Sequence, residues 1–264
     1  MSMQRFLKKL IFNLFFLLVL FYGITCLADN EVSFYNNQKI LITAKLYQPS
    51  GKGPFPAVIG LHGCGGLADA ITHLALMDWA KRLVQAGFLV LLPDSYGSRQ
   101  LGAQCYNLNS RARADVERVS DALAAKTYLQ TRKNVKANSI SLIGWSNGGT
   151  TVLSTIIKSS SDQSFPFAKA IAFYPYCKKL IANNHYHSQI PLLILMGEED
   201  HIMSVSSCKN LIQLDKNYHD PAQLILYPNA GHAFDLPDIK PWTNMQARNA
   251  AIKKVLFFLK ENQT

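Results

Sequence analysis

Ser146 stands between Gly144 and Gly148 in the stretch GWSNGG, directly behind the apolar run SISLIG. Such a spacing lets a chain pass from a strand to a helix through a bend tight enough to lift the serine hydroxyl clear of both. Raised in this way, the hydroxyl can attack a carbonyl carbon, provided that a base takes its proton and a carboxylate orients the base. The plainer reading is a serine that caps its own helix, so the partners decide. Asp200 in GEEDHI and His232 in NAGHAF each follow a later apolar run, 54 and 32 residues after the preceding member. Nucleophile, acid and histidine in that order, each behind its own strand, can converge at one edge of a parallel sheet. Glu198, Glu199 and His201 flank Asp200 and compete for the acid role. None of the other six histidines follows a late strand with a glycine before it, as His232 does.

Attack on a carbonyl also requires donors for the oxygen that becomes negative. The run LHGCGGL, residues 61–67, places glycines directly after an earlier apolar segment. The backbone N–H of Asn147, with that of Gly63 or Cys64, is the expected oxyanion hole. A glycine-rich turn without this role would look the same in isolation.

The elements that must position these groups read from hydrophobic periodicity. Strand candidates are KILITAKLYQP, PAVIGLHG, FLVLLPD, SISLIGWS, AKAIAFYPY, PLLILMGEED and AQLILYPNAGH, several of them near-continuous Val, Ile and Leu. Helix candidates lie between them, near 73–86, 111–131, 147–159, 204–214 and 243–261. The second has Val116, Val119, Leu123 and Ala124 on one face, with charges elsewhere. Alternating strands and helices predict a mainly parallel sheet with helices on both faces, and an antiparallel hairpin over 31–48. No repeat, low-complexity tract or linker interrupts 29–264, which reads as a single α/β domain.

Residues 1–28 differ from the rest. Arg5, Lys8 and Lys9 precede an apolar run from Leu10 to Ile24, and Cys26 and Ala28 fit a small-residue cleavage site. This layout predicts a secretory signal peptide cut after Ala28, an uncleaved anchor being the alternative, and so an exported, periplasmic or secreted protein whose only membrane contact is that segment. Removing it takes away three basic residues and no acid, so the net charge falls from +10 to +7. The remaining basic residues are scattered and lack aromatic interleaving, which argues against a nucleic-acid partner. Four cysteines remain, an even number that suits an oxidising compartment and allows three connectivities. Cys64 and Cys105 follow two neighbouring early strands, and Cys177 and Cys208 two successive later ones. The expected bridges are therefore Cys64–Cys105 and Cys177–Cys208. No cysteine or histidine spacing suits a metal, and HYH at 185–187 reads as a solvated loop; no cofactor is expected.

The motifs LHGCGGL, WAKRLVQAGFLVLLPDSYGSR, GWSNGG, YPYC, GEED and GHAF, in that order, resemble the α/β-hydrolase superfamily and within it the dienelactone hydrolase family. The resemblance runs from about Pro56 to the C-terminus. It implies an eight-stranded, largely parallel sheet and hydrolysis of small esters or lactones through an acyl-enzyme, with Ser146 as nucleophile, His232 as base and Asp200 as orienting acid. An acyltransferase or peptidase could use the same triad, and a catalytically silent binding protein could keep the fold. The best-known members of the family have a cysteine where this chain has Ser146, and a glutamate where it has His62. Of the two arginines that grip a lactone carboxylate in those members, DSYGSR retains one as Arg99, and the other would fall at Leu236. Arg99 is thus the expected substrate-binding cation. Only residues 175–191 separate AKAIAFY from PLLIL, so the cap should be minimal, with the loop 95–110 overhanging the site instead.

Overall fold

The computed structural model describes residues 30–159, 167–181, 186, 188–215 and 222–261. The expected signal segment, and His185 and His187 of the HYH stretch, lie outside these residues. Eight strands form one sheet: β1 (Asn30–Tyr35), β2 (Leu41–Tyr47), β3 (Phe55–Leu61), β4 (Leu89–Pro93), β5 (Val135–Trp145), β6 (Ala170–Phe173), β7 (Leu192–Gly197) and β8 (Gln223–Tyr227). Their order across the sheet is β1-β2-β4-β3-β5-β6-β7-β8. The hairpin of β1 and β2 is antiparallel and joins β4 antiparallel, while all later pairings are parallel. The helices are α1 (Ala70–Gln85), α2 (Glu117–Gln130), α3 (Asn147–Ser159), α4 (Lys178–Ile181), α5 (Val205–Asp215) and α6 (Met245–Lys260).

Every residue of β4, β6 and β7 is buried. These are the Val/Ile/Leu runs that parallel strands covered on both faces require. The edge strand β1 alternates and leaves most of its residues exposed or half-exposed. Register then places the strand ends in line. Leu61 pairs with Gly144, Trp145 with Phe173, Phe173 with Leu195, and Gly197 with Tyr227. The residues immediately after β3, β5, β6, β7 and β8 therefore emerge along one edge.

Two helices depart from the expected bounds. α1 begins at Ala70, before residue 73, because Asp69 accepts from the Thr72 N–H at 2.8 Å and caps the helix there. α2 begins at Glu117 rather than near 111. The Glu117 carboxylate accepts from the Arg113 backbone N–H at 2.9 Å and from its guanidinium at 2.6 Å, holding 113–116 as a turn. The buried face of α2 also differs from the expected stripe. It carries Arg118, Val119, Asp121, Ala122, Ala125 and Leu129, whereas Leu123 and Ala124 are only partly covered. Arg118 and Asp121 face inward because each meets a polar partner from another part of the chain.

Candidate active site

Ser146 is the single residue between the end of β5 and the start of α3, and its φ is +51°. A serine in the left-handed region is strained, and the surroundings hold it there. Its N–H donates to Phe173 O at 2.9 Å and its carbonyl accepts from Thr150 N at 2.9 Å. Gly148 makes the bend possible: a Cβ at this position would collide with the Leu61 carbonyl at the end of β3. The first turn of α3 is thereby pressed against the turn that follows β3.

Two loops from the far side of the sheet complete the arrangement. Asp200 accepts from His232 Nδ1 at 2.9 Å through Oδ2, which leaves His232 Nε2 to accept from Ser146 Oγ at 3.1 Å. The other carboxylate oxygen of Asp200 accepts from Ile202 N at 2.9 Å and Met203 N at 2.8 Å, fixing its orientation. Gly197, the last residue of β7, lets the His232 loop cross it. A Cβ there would strike the Ala230 carbonyl, which instead accepts from Glu199 N at 2.9 Å. Among the competitors for the acid role, Glu198, Glu199 and His201 are exposed, and only Asp200 is turned inward to the histidine.

Behind His232 lies a buried network that sequence reasoning missed. The Tyr174 ring packs on the imidazole with centroids 4.5 Å apart, and its hydroxyl donates to Asp235 Oδ1 at 2.7 Å. The indole N–H groups of Trp79 and Trp145 both donate to Asp235 Oδ2, at 2.7 and 2.9 Å. Burial raises the Asp235 carboxyl above the ordinary aspartate range, against the three donors that favour its charged form. Burial, with the neighbouring Asp235, pushes the Tyr174 phenol well above its usual range and keeps it a donor. One signal was available: Asp235 follows His232 by three residues within an otherwise apolar GHAFDL run.

On the other side of Ser146 is the turn after β3. The backbone of Gly63 comes so close that a Cβ there would lie 3.9 Å from Ser146 Cβ. His62 is wholly buried, and its Nε2 accepts from Ser95 N at 3.2 Å. The proton is therefore on Nδ1, which donates to Gly63 O at 2.8 Å. Burial, reinforced by the Arg118 charge, lowers the His62 pKa well below the ordinary imidazole range and keeps the ring neutral. Arg118, also buried, donates to His62 O at 2.7 Å and to Asn147 Oδ1, and lies over the Tyr96 ring. Tyr96 OH donates to the same Asn147 oxygen at 3.3 Å.

Arg99, the expected substrate-binding cation, is engaged by groups of the protein itself. Its guanidinium forms two hydrogen bonds with the buried Asp121 carboxylate, at 2.8 and 2.9 Å, and a third with Ser95 O at 2.8 Å. A bidentate buried pair of this kind saturates the fork and braces the loop after β4 against α2. These contacts give Arg99 a structural task. The structure pairs Cys64 with Cys105 and Cys177 with Cys208. The first bridge ties the loop after β4 to the turn beside Ser146, and Gln104 N donates to Cys64 O at 2.7 Å in the same place. The second ties the segment after β6 to α5. Among the described residues no three His, Cys, Asp or Glu side chains gather as metal ligands, and no helix is long and apolar enough to cross a membrane.

Residues 42–263 match the family described as Dienelactone hydrolase family. The chain belongs to the dienelactone hydrolase family. It is 26% identical over 237 residues to a Synechocystis protein named "Putative carboxymethylenebutenolidase", covering 83% of this chain and 91% of that one. It is 27% identical over 202 residues to a Bradyrhizobium "Probable 2-oxo-3-(5-oxofuran-2-ylidene)propanoate lactonase", covering 72% and 78%. Among solved structures, one titled "Putative Dienelactone Hydrolase" from Klebsiella pneumoniae superposes with a TM-score of 0.75 at 20% identity, over 90% of this chain and all of that one. That last likeness is one of fold. As a member of the dienelactone hydrolase family with an eight-stranded α/β-hydrolase sheet, this chain is a hydrolase of esters or lactones, and its two disulfides fit an oxidising compartment.

Proposed function

We propose that this protein is an exported serine hydrolase that cleaves small esters or lactones through an acyl-enzyme, within one domain over residues 29–264 that follows a signal peptide over 1–28. The observation that carries the reading is the unbroken line from Asp200 through His232 to Ser146 Oγ, with links of 2.9 and 3.1 Å. In acylation, Ser146 Oγ bonds to the carbonyl carbon while its proton passes to His232 Nε2, and the π electrons move onto the carbonyl oxygen. Collapse of this intermediate expels the alkoxide, which takes the proton from His232. Water then repeats the sequence on the acyl-enzyme and releases the acid. Asp200 holds the imidazole in the required tautomer and orientation. The N–H groups of Asn147 and of Gly63 or Cys64 receive the oxyanion.

A small substrate is supported by the few residues between β6 and β7 and by the Cys64–Cys105 bridge, which ties the loop after β4 to the turn beside Ser146. Charge preference must be argued afresh once Arg99 is bound to Asp121. Exposed apolar side chains after the strand ends include Tyr106, Leu108, Tyr176, Ile202 and Trp242, and they alternate with exposed charges of both signs, Lys178, Lys179, Glu198 and Glu199 among them. The apolar groups, with the Arg99 guanidinium bound to Asp121, support a neutral acyl or aryl group over a carboxylate. Initial rates on a panel of neutral short-chain, neutral long-chain and anionic esters, with a simple lactone, test this directly. Fastest turnover is expected for the short neutral esters and the lactone. No turnover of any ester or lactone removes the reading, and faster turnover of the anionic esters removes its account of charge.

A further inference from the structure

The proposed mechanism leaves one buried charge unused. Arg118 has no exposed surface, and among the described residues no carboxylate lies within ion-pair distance of it. Asp121, three residues on along the same helix, favours the Arg118 charge from a distance, but its direct partners are Arg99 and Asn36 Nδ2, the latter at 2.7 Å. Burying a guanidinium without an anion is costly, so a fold that retains one should gain something specific from its position.

Its partners show what that position is. Arg118 Nη2 donates to His62 O, and the peptide between His62 and Gly63 is trans, since the cis bonds of the described chain precede Pro54 and Pro241. In a planar trans peptide the C=O and N–H point in opposite directions. Holding His62 O toward the guanidinium therefore aims the Gly63 N–H away from it. The next peptide is held in the same way. Gly63 O accepts from His62 Nδ1 at 2.8 Å and from Gly66 N at 3.3 Å, which sets the Cys64 N–H. The other Arg118 nitrogen reaches Asn147 Oδ1, on the residue that follows Ser146. One side chain thus joins both backbone segments expected to supply the oxyanion donors.

We propose that Arg118 is the positioning residue of the oxyanion hole, a buried cation that clamps the Gly63 turn to Asn147 and sets a positive potential behind the donors. This inference rests on the assignment of Ser146 as nucleophile. Arg118 touches no substrate. It acts by holding N–H groups in place before the carbonyl oxygen becomes negative, and its charge faces the developing oxyanion through them.

The test compares wild type, Arg118→Met and Arg118→Lys on p-nitrophenyl acetate and with a trifluoromethyl ketone, which Ser146 would convert reversibly to a tetrahedral adduct. Thermal unfolding by circular dichroism checks that each variant is folded. In Arg118→Met, kcat should fall about 100-fold with KM changed less than about threefold, and the ketone should bind about 100-fold more weakly. Arg118→Lys, which keeps the charge and loses the fork, should recover part of both losses. A folded Arg118→Met with kcat and ketone affinity near wild type overturns the inference, whatever happens to its melting temperature. If Arg118→Met does not fold, Asn147→Ala decides, because it cuts the same clamp and leaves the backbone N–H. A fall in kcat of about tenfold, matched by the ketone, supports the inference, and unchanged values overturn it. Wild-type protein that neither turns over the ester nor binds the ketone overturns the Ser146 reading and this inference with it. Active wild type with unaffected variants overturns this inference alone.

Discussion

On the β7–β8 side of Ser146 the groups that stand behind the site are carboxyls. Asp200 holds His232, and Asp235 holds Tyr174 against the same imidazole. On the β3–β5 side the group behind the site is a guanidinium, with a histidine that burial keeps neutral. The two sides carry opposite character, in the sense that the proposed reaction needs. His232 becomes positive when it takes the Ser146 proton, and the carbonyl oxygen becomes negative at the same moment. Preorganised charge of opposite sign behind each costs no rearrangement during the reaction. The same side of the molecule holds two buried guanidinium groups with different partners. Arg99 pairs directly with Asp121 and braces a loop, whereas Arg118, beside Asn147, has no carboxylate within ion-pair distance among the described residues.

Substitutions break this arrangement to different degrees. Removing the proposed nucleophile should cost most: Ser146→Ala should fold normally and lose on the order of 10⁵-fold in kcat, measured on the best ester of the panel. Next comes the carboxyl side. Asp200→Asn should lower kcat roughly 10³- to 10⁴-fold by disturbing the tautomer and charge of His232. The exposed neighbours Glu198→Gln and Glu199→Gln should stay within about threefold of wild type, which sharpens the assignment. Equal losses for all three acids would mean that the loop, and not one carboxylate, matters.

Arg99→Ala should act on stability instead. It strands a buried Asp121 carboxylate and should cost about 3–5 kcal/mol in urea unfolding. Its ratio of kcat/KM on anionic to neutral esters should equal that of wild type, and a selective loss on anionic esters would return Arg99 to the substrate site. The smallest effect is expected at the surface pair of Arg113 and Glu117. The hydrogen bonds from Arg113 lower the Glu117 pKa to about 2 from an ordinary value of 4.5. A depressed carboxylate contributes stability that is present above its unfolded pKa and lost as pH falls through the folded one. Stability from this pair should therefore fade between about pH 4.5 and 2. Arg113 is half exposed, so Glu117→Gln should cost no more than about 0.5 kcal/mol at neutral pH and nothing at the acid end of that window.

Much of this was legible in the sequence. The strands themselves show as near-continuous apolar runs, and Ser146, Asp200 and His232 stand out because each follows a strand end, whereas the order of the strands across the sheet was not read. Parallel register then brings strand ends together without further information. The pairing of Arg99 with Asp121 was not legible because a side chain's direction depends on its tertiary partner, and Asp121 lies 22 residues away on a helix whose charges were expected to face water. Arg118 was missed for the same reason, although a signal exists. Arg118, Asp121, Ala122, Ala125 and Leu129 recur at helical spacing, and a charge within such a stripe implies a buried partner. Asp235 escaped notice because its donors come from Trp79, Trp145 and Tyr174, on three separate elements. The start of α2 was set too early because the Arg113–Glu117 contact competes with helix formation in a segment whose propensities favour it.

The most direct test of the account is covalent labelling of the folded wild-type protein with a fluorophosphonate, followed by intact mass measurement and peptide mapping. The account predicts one adduct per chain, carried by the peptide that contains Ser146 and abolished in Ser146→Ala. A folded protein that takes up no label, or that carries it on a different serine, would contradict it.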